Sequence, residues 1–320
     1  MSQASHEFYK PVQQWFTAWE LVSRHIYHVN QLRPVSFVFF DDTYVYSTSG
    51  VTVPQGELVR GPGLMNHSFR WKRMLHHDSL RLPDKQVVPV GLMSFASEMS
   101  GEGNVPFFVM PLPSFWEKSG VTSKELGMTK LVTGVFTHEF SHSQQMQNFG
   151  KKMTEFEKNN HFETEFSDDI IQHLFAKDSA YVQAYTKEAE TFYAAALSKD
   201  KDSTVFFAKQ ALALMQQRQA IYFSNKEQPL TTIDNFFLTM EGLGQYSIYA
   251  WLIHPQGGRV PAPVAVAGVR RGKKWWSQDE GLALFLVLEK LAPPAKWGPV
   301  MFSERTESIV DLLKSELDKY

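Results

Sequence analysis

Apolar residues recur at helical spacing over residues 8–30 (Trp15, Trp19, Leu21, Val22, Ile26), and Pro34 requires that helix to end before it. The texture then changes. From Val35 to about Pro113 the chain runs in short β-branched and aromatic stretches, SFVFF, TYVYST, VVPVGLMSF and PFFVMPL, which predict a small mixed sheet. Asp-Asp, Pro-Gln-Gly and Gly-Glu-Gly-Asn turn signals separate them. From Thr122 to about Ile253 the period is helical again, opening at a Thr122-x-x-Glu125 capping box and pausing at Gly150. Proline and glycine crowd residues 254–272, which reads as a connection with one strand, before helices at about 278–291 and 303–319.

Strands and helices are therefore segregated, which predicts α+β. Three regions follow from the same pattern. Residues 1–118 form an N-terminal helix and β-sheet region, 119–255 a helical region, and 256–320 a linker with C-terminal helices. At 320 residues the chain can bury an extensive core without covalent staples.

Composition removes whole classes of chemistry. There is no cysteine, so disulfides, thiol nucleophiles, thiolate metal sites and iron–sulfur clusters are excluded, and any metal must rest on histidine and carboxylate. The 32 basic and 34 acidic residues nearly cancel, and no long block of one sign is present to track a phosphate backbone, so nucleic acid is not an expected partner. No apolar run approaches the roughly 20 residues of a membrane span, and the sequence as given shows no export signal. That leaves location open between the cytoplasm and export with the leader removed.

Against this background one pattern carries chemistry. Residues 138–142 read His-Glu-Phe-Ser-His within the helical run LVTGVFTHEFSHSQQMQNF. Four helical residues span about 400°, so His138 and His142 share a face one turn apart and can grip one ion. Glu139 lies about 100° round, within reach of a water at that ion without becoming a ligand, the placement a general base needs. The bland alternative is a pair of surface or core histidines.

A catalytic zinc site takes a third protein ligand, and Glu241, in Thr-Met-Glu-Gly-Leu-Gly-Gln-Tyr, is the first candidate. Gly242 and Gly244 each cost a helix about 1 kcal/mol relative to alanine, so they signal a close approach, expected here to be the metal helix. Glu280 is a rival that Ser277-x-x-Glu280 explains as a capping box, and Glu188 and Glu190 are expected on a solvated or supporting face. Tyr246, Tyr249 and His254 are candidate donors to a tetrahedral oxyanion, Tyr246 being placed first. Val105–Pro111 reads as an edge strand able to pair with an extended peptide, or as an ordinary core strand. Trp275-Trp276 reads as a cleft wall or a staple, Arg270, Arg271, Lys273 and Lys274 as a solvated basic loop, and His76-His77 as no metal site.

His138-Glu139-x-x-His142 with a later Glu241-Gly-Leu-Gly-Gln-Tyr resembles the gluzincin metallopeptidases, whose third ligand often lies in a Glu-Gly-x-Ala-x-Tyr helix. More narrowly, it resembles bacterial gluzincin-like proteins in which a sheet and the metal helix precede a long helical insertion, here about 150–230, an E-G-L-A-x-Y helix and a helical tail. The likeness covers roughly residues 35–290, with only the two short motifs specific. It implies a zincin-like fold, one Zn²⁺ per chain held by His138, His142 and Glu241, and a peptide or protein substrate. The implied reaction is hydrolysis of peptide bonds by metal-activated water with Glu139 as general base. The alternative is a catalytically silent metal-binding or protein-interaction module on the same fold.

Overall fold

The computed structural model describes residues 3–98, 105–162, 166–223, 228–270 and 274–320. The fold is α+β, 58% helical, with a small mixed sheet. The contacts define two units, one of Met1–Gln147 with Ser247–Gly268 and one of Asn148–Tyr246 with Val269–Tyr320.

In the first unit, helix α1 (Gln3–Glu20) continues as a π-helical turn over Leu21–Ile26. Eight strands follow: β1 (Ser36–Phe40), β2 (Tyr44–Ser47), β3 (Glu57–Leu58), β4 (Lys72–Leu75), β5 (Ser79–Arg81), β6 (Val87–Pro89), β7 (Phe95–Ser97) and β8 (Phe107–Pro111). Among the described residues they build a six-stranded sheet, ordered β3-β4-β2-β1-β8-β7, and a separate β5-β6 ladder. Strands β1 and β8 pair in parallel and the other neighbours are antiparallel. The predicted VVPVGLMSF run thus divides into β6 and β7, and the Gly-Glu-Gly-Asn turn at 101–104 lies outside the described residues.

Strand alternation explains why β1 from Phe37 onward and all of β8 are apolar, because side chains of both faces are covered. Val38, Phe40, Phe107 and Val109 join one core cluster with Val45, Val53, Leu80 and Leu82. On the other face Phe37, Phe39 and Phe108 meet Trp15, Phe16, Phe136 and Phe140 in a continuous set of ring contacts. Of the two readings of Val105–Pro111, the core strand is the one found. Strand β8 has hydrogen-bonded neighbours on both sides and is fully buried, and the edge belongs to β7.

Beyond α2 (Pro113–Lys118), helix α3 (Met128–Gln145) begins later than predicted. The Thr122-x-x-Glu125 capping box does not form. Instead Ser123 closes a turn, its Oγ accepting from the Leu126 amide and its carbonyl from the Gly127 amide. Gly127, at φ +73°, supplies the left-handed residue ahead of the helix. Nor does the chain pause at Gly150: α3 passes through a π-helical turn (Met146–Gly150) into α4 (Lys151–Asn159).

The second unit is helical. It contains α5 (Ile170–Phe175), α6 (Ser179–Leu197), α7 (Lys201–Tyr222), α10 (Trp276–Leu291), α11 (Pro294–Met301) and α12 (Ile309–Leu317). Asp178 and Asp200 cap α6 and α7 through their carboxylates. Helix α8 (Gln228–Ile253) gives its first part to this unit and its last part, from Ser247, to the first. Residues 254–272, expected as a connection with one strand, instead contain helix α9 (Ala262–Arg270), because Ala262, Ala265, Ala267 and the intervening valines lack the polar alternation of a strand. No described helix is long and apolar enough to cross a membrane.

Candidate metal centre

Helix α3 carries two pairs of residues spaced by four. Phe136 and Phe140 stack on each other and press against Phe108, while Phe140 also stacks on Phe37 at a centroid distance of 5.5 Å. His138 and His142 are each displaced two residues from a phenylalanine, about 200° round the helix. Packing the aromatic pair on the sheet therefore turns the histidine pair to the opposite face. Their Nε2 atoms approach to 3.1 Å, with the rings nearly perpendicular.

That histidine face meets the C-terminal part of α8. A Cβ built on Gly134, one turn before His138, would come 2.8 Å from Cγ2 of Ile248. Tyr27 and Ser247 hydroxyls, 2.8 Å apart, tie α8 to the π-helical end of α1. Glu241 lies seven residues, two turns, before Ile248 and so projects from the same face of α8. The imidazoles of His138 and His142 and the carboxylate of Glu241 offer ligand atoms all within 4.8 Å of one another. All three residues are buried, whereas Glu139 is only half-buried.

The donor set suits a divalent cation. Two nitrogen ligands of a tetrahedral zinc lie about 3.3 Å apart for Zn–N bonds near 2.05 Å, close to the 3.1 Å between the imidazole nitrogens. Two neutral imidazoles can also share a proton at that spacing, but the adjacent buried carboxylate adds a negative charge that a cation balances and a neutral pair does not. The Glu241 carboxylate is itself held: Gln278 Nε2 donates to its Oε2 at 3.0 Å, and Gln278 in turn accepts from Gln245. Asp169 stands within electrostatic reach. Burial, and then the Glu241 charge, raise its carboxyl above the usual range against the opposing pull of His173.

Several expectations change. The close approach at Gly242 is not to α3 but to α10, since a Cβ there would lie 2.6 Å from the Gly281 backbone. The glycine that does face α3's partner is Gly134, an isolated glycine inside a helical pattern that the same reasoning could have singled out. Gln278 gave no signal beyond its polarity. Glu280 is not a capping-box carboxylate: α10 starts at Trp276 without a side-chain cap, Ser277 is already inside it, and Glu280 is buried. It borders Arg218, which forks onto Glu188 at 2.7 and 2.8 Å and reaches Asp234 at 3.1 Å. Glu188 is thus interior rather than solvated, and exposed Glu190 pairs with Arg270.

Tyr246 is fully buried against Phe285 and Trp297, near Glu289. Tyr249 is buried, and His254 accepts from the Gln256 amide in the turn after α8. Arg270 is not in a solvated loop but ion-paired to Asp279 and stacked on Tyr193; Arg271 and Lys273 lie outside the described residues. Trp276 stacks on Tyr185, and Trp275 is exposed. His76 contacts the Asp41 carbonyl at 2.8 Å.

No known family model, curated protein or solved structure matches the chain.

Proposed function

We propose that the protein is a zinc-dependent hydrolase of peptide bonds on a zincin-like fold, of the gluzincin kind, with one Zn²⁺ per chain. The observation that carries this reading is the convergence of His138, His142 and Glu241, three buried ligand groups, beside a half-buried Glu139 one residue along the same helix. His138, His142 and Glu241 would hold the ion; Gln278 fixes which way the carboxylate of Glu241 points. When bound, zinc supplies a Lewis acid for the scissile carbonyl and makes water acidic enough to ionise near neutral pH.

Glu139 does the proton work. Its carboxylate takes a proton from the attacking water and passes it to the departing amine, so one residue serves as base and then acid. Partial exposure suits that task, because the group must meet solvent and substrate while the ligands stay shielded. Tyr246, buried near Glu289, supports the α8 helix beside α10 and α11.

The test is a broad peptide-library digest with zinc-loaded wild type and Glu139→Gln. Cleavage by wild type, reduced by a factor of 100 or more in the variant at equal zinc content, is the expected result. Stoichiometric zinc with no Glu139-dependent cleavage would replace this reading by a silent metal-binding module.

A further inference from the structure

One turn up α8 from Glu241 the second unit holds a narrow pocket, with Asp169, Ser277 and Trp276 among the residues at its half-exposed rim and Tyr185, Asp234 and Glu280 among those of its buried wall. It has room for a single water-sized group. Among the described residues, three oxygens bordering it, Asp169 Oδ1, Ser277 Oγ and Glu280 Oε1, have no hydrogen-bond partner, and Glu280 is only 1% exposed. An unmatched acceptor this deep costs free energy unless a donor arrives.

We propose that this pocket receives a primary ammonium group, the side-chain head of a lysine in the substrate, and so sets specificity at the proposed hydrolytic site; the assignment rests on that functional reading. Charge points to a cation. Among the described residues the one guanidinium bordering the pocket, that of Arg218, faces three carboxylates, Glu188, Asp234 and Glu280. Burial, and then the neighbouring Glu188, hold the Glu280 carboxyl well above the usual glutamate range against the opposing pull of Arg218, so an added cation is what would let this group ionise.

A bare divalent ion is disfavoured because the pocket's carboxylates are not gathered at ligand spacing; among the described residues that gathering occurs at His138, His142 and Glu241. An ammonium carries N–H donors that the unmatched oxygens could accept, and the stacked Trp276 and Tyr185 rings border the same pocket. Guanidinium, planar and larger, exceeds the space. Reach is suitable as well. Leu238, in the pocket wall, is three residues from Glu241 and Asp234 is seven, so the pocket begins about 5 Å and ends about 10 Å along the helix from the metal ligand. A lysine beside the scissile bond covers that interval with its four-carbon stem.

The test is calorimetric binding of Nα-acetyl-lysine amide and Nα-acetyl-norleucine amide, which share a linear side chain but differ in charge. It is run on the full chain as purified and after chelation. Binding of the lysine amide at least tenfold tighter than the norleucine amide, with the ratio falling to about one in Glu280→Gln, is expected. Equal affinities in wild type, or a ratio that survives Glu280→Gln, would overturn the assignment. Ser277→Leu, at the rim, gives a second route: it should abolish the preference by blocking entry, and a preference that persists in it counts against the pocket. If lysine preference is found but no peptide is cleaved, the hydrolase reading fails and the pocket stands. If Glu139-dependent cleavage shows no lysine preference, the pocket fails alone.

Discussion

Gly242→Ala isolates the helix crossing that orients Glu241, the proposed third ligand. In an exposed helix this substitution stabilises by about 1 kcal/mol, because alanine has the higher helix propensity. Here the added methyl would sit 2.6 Å from both the Cα and the carbonyl carbon of Gly281, and 2.7 Å from its oxygen. Normal carbon–carbon contact is about 3.5–4.0 Å, so α8 and α10 would have to separate by about 1 Å. No rotamer change can relieve the clash, since every one of those atoms is backbone. Overpacking of this kind costs about 1–3 kcal/mol, and the unrelieved contact puts Gly242→Ala at the upper end, for a net loss of about 1–2 kcal/mol after the propensity gain. The displacement also draws Gln278 away from Glu241, a 3.0 Å hydrogen bond in the native structure. Urea denaturation and zinc titration together read both effects, with a predicted drop in stability and a weakening of zinc affinity by about tenfold. A variant that gained about 1 kcal/mol and bound zinc as wild type would refute the reasoning.

Other predictions address separate parts of the molecule. Phe140→Ala removes the ring that joins α3 to Phe37, Phe108 and Trp19 and should cost about 3–5 kcal/mol by denaturant unfolding; a loss under 1 kcal/mol would show that the histidine face is oriented by something else. Glu188→Ala leaves the Arg218 guanidinium, 2% exposed, without its bidentate partner and should destabilise by about 3–5 kcal/mol, measured the same way. Because the folded-state pKa of Glu280 is raised, the folded form holds its proton to higher pH than the unfolded chain does. Its contribution is fully present below the ordinary glutamate range and is lost as pH rises towards the raised value. Glu280→Gln should therefore flatten the fall of stability with pH in that window, and an unchanged slope in pH-dependent melting would contradict the burial argument.

Local pattern carried much of the site. The spacing of His138 and His142, the position of Glu139 between them and the α+β segregation all follow from helix and strand periods, which are properties of short stretches of chain. The Phe136 and Phe140 pair that turns the histidines away from the sheet obeys the same period. Partner identity does not. Gly242 announced a close approach, yet which helix approaches depends on the tertiary path that brings Gly281 there. Strand β8 read as an edge from its prolines, but pairing with β7 on its far side is decided by the register of Phe95–Ser97 rather than by β8 itself. Ser277 and Glu280 matched a capping box, and burial beside Arg218 overrode it. Gln278 acts through a single contact with Glu241 and leaves no periodic trace.

Zinc titration of wild type beside His142→Ala and Glu241→Ala, with bound metal quantified after dialysis, addresses the centre most directly. About one zinc per wild-type chain is expected, with affinity lowered by at least 100-fold in each variant while the fold is retained. Wild type that binds no zinc, or variants that bind it as tightly, would contradict the proposed centre.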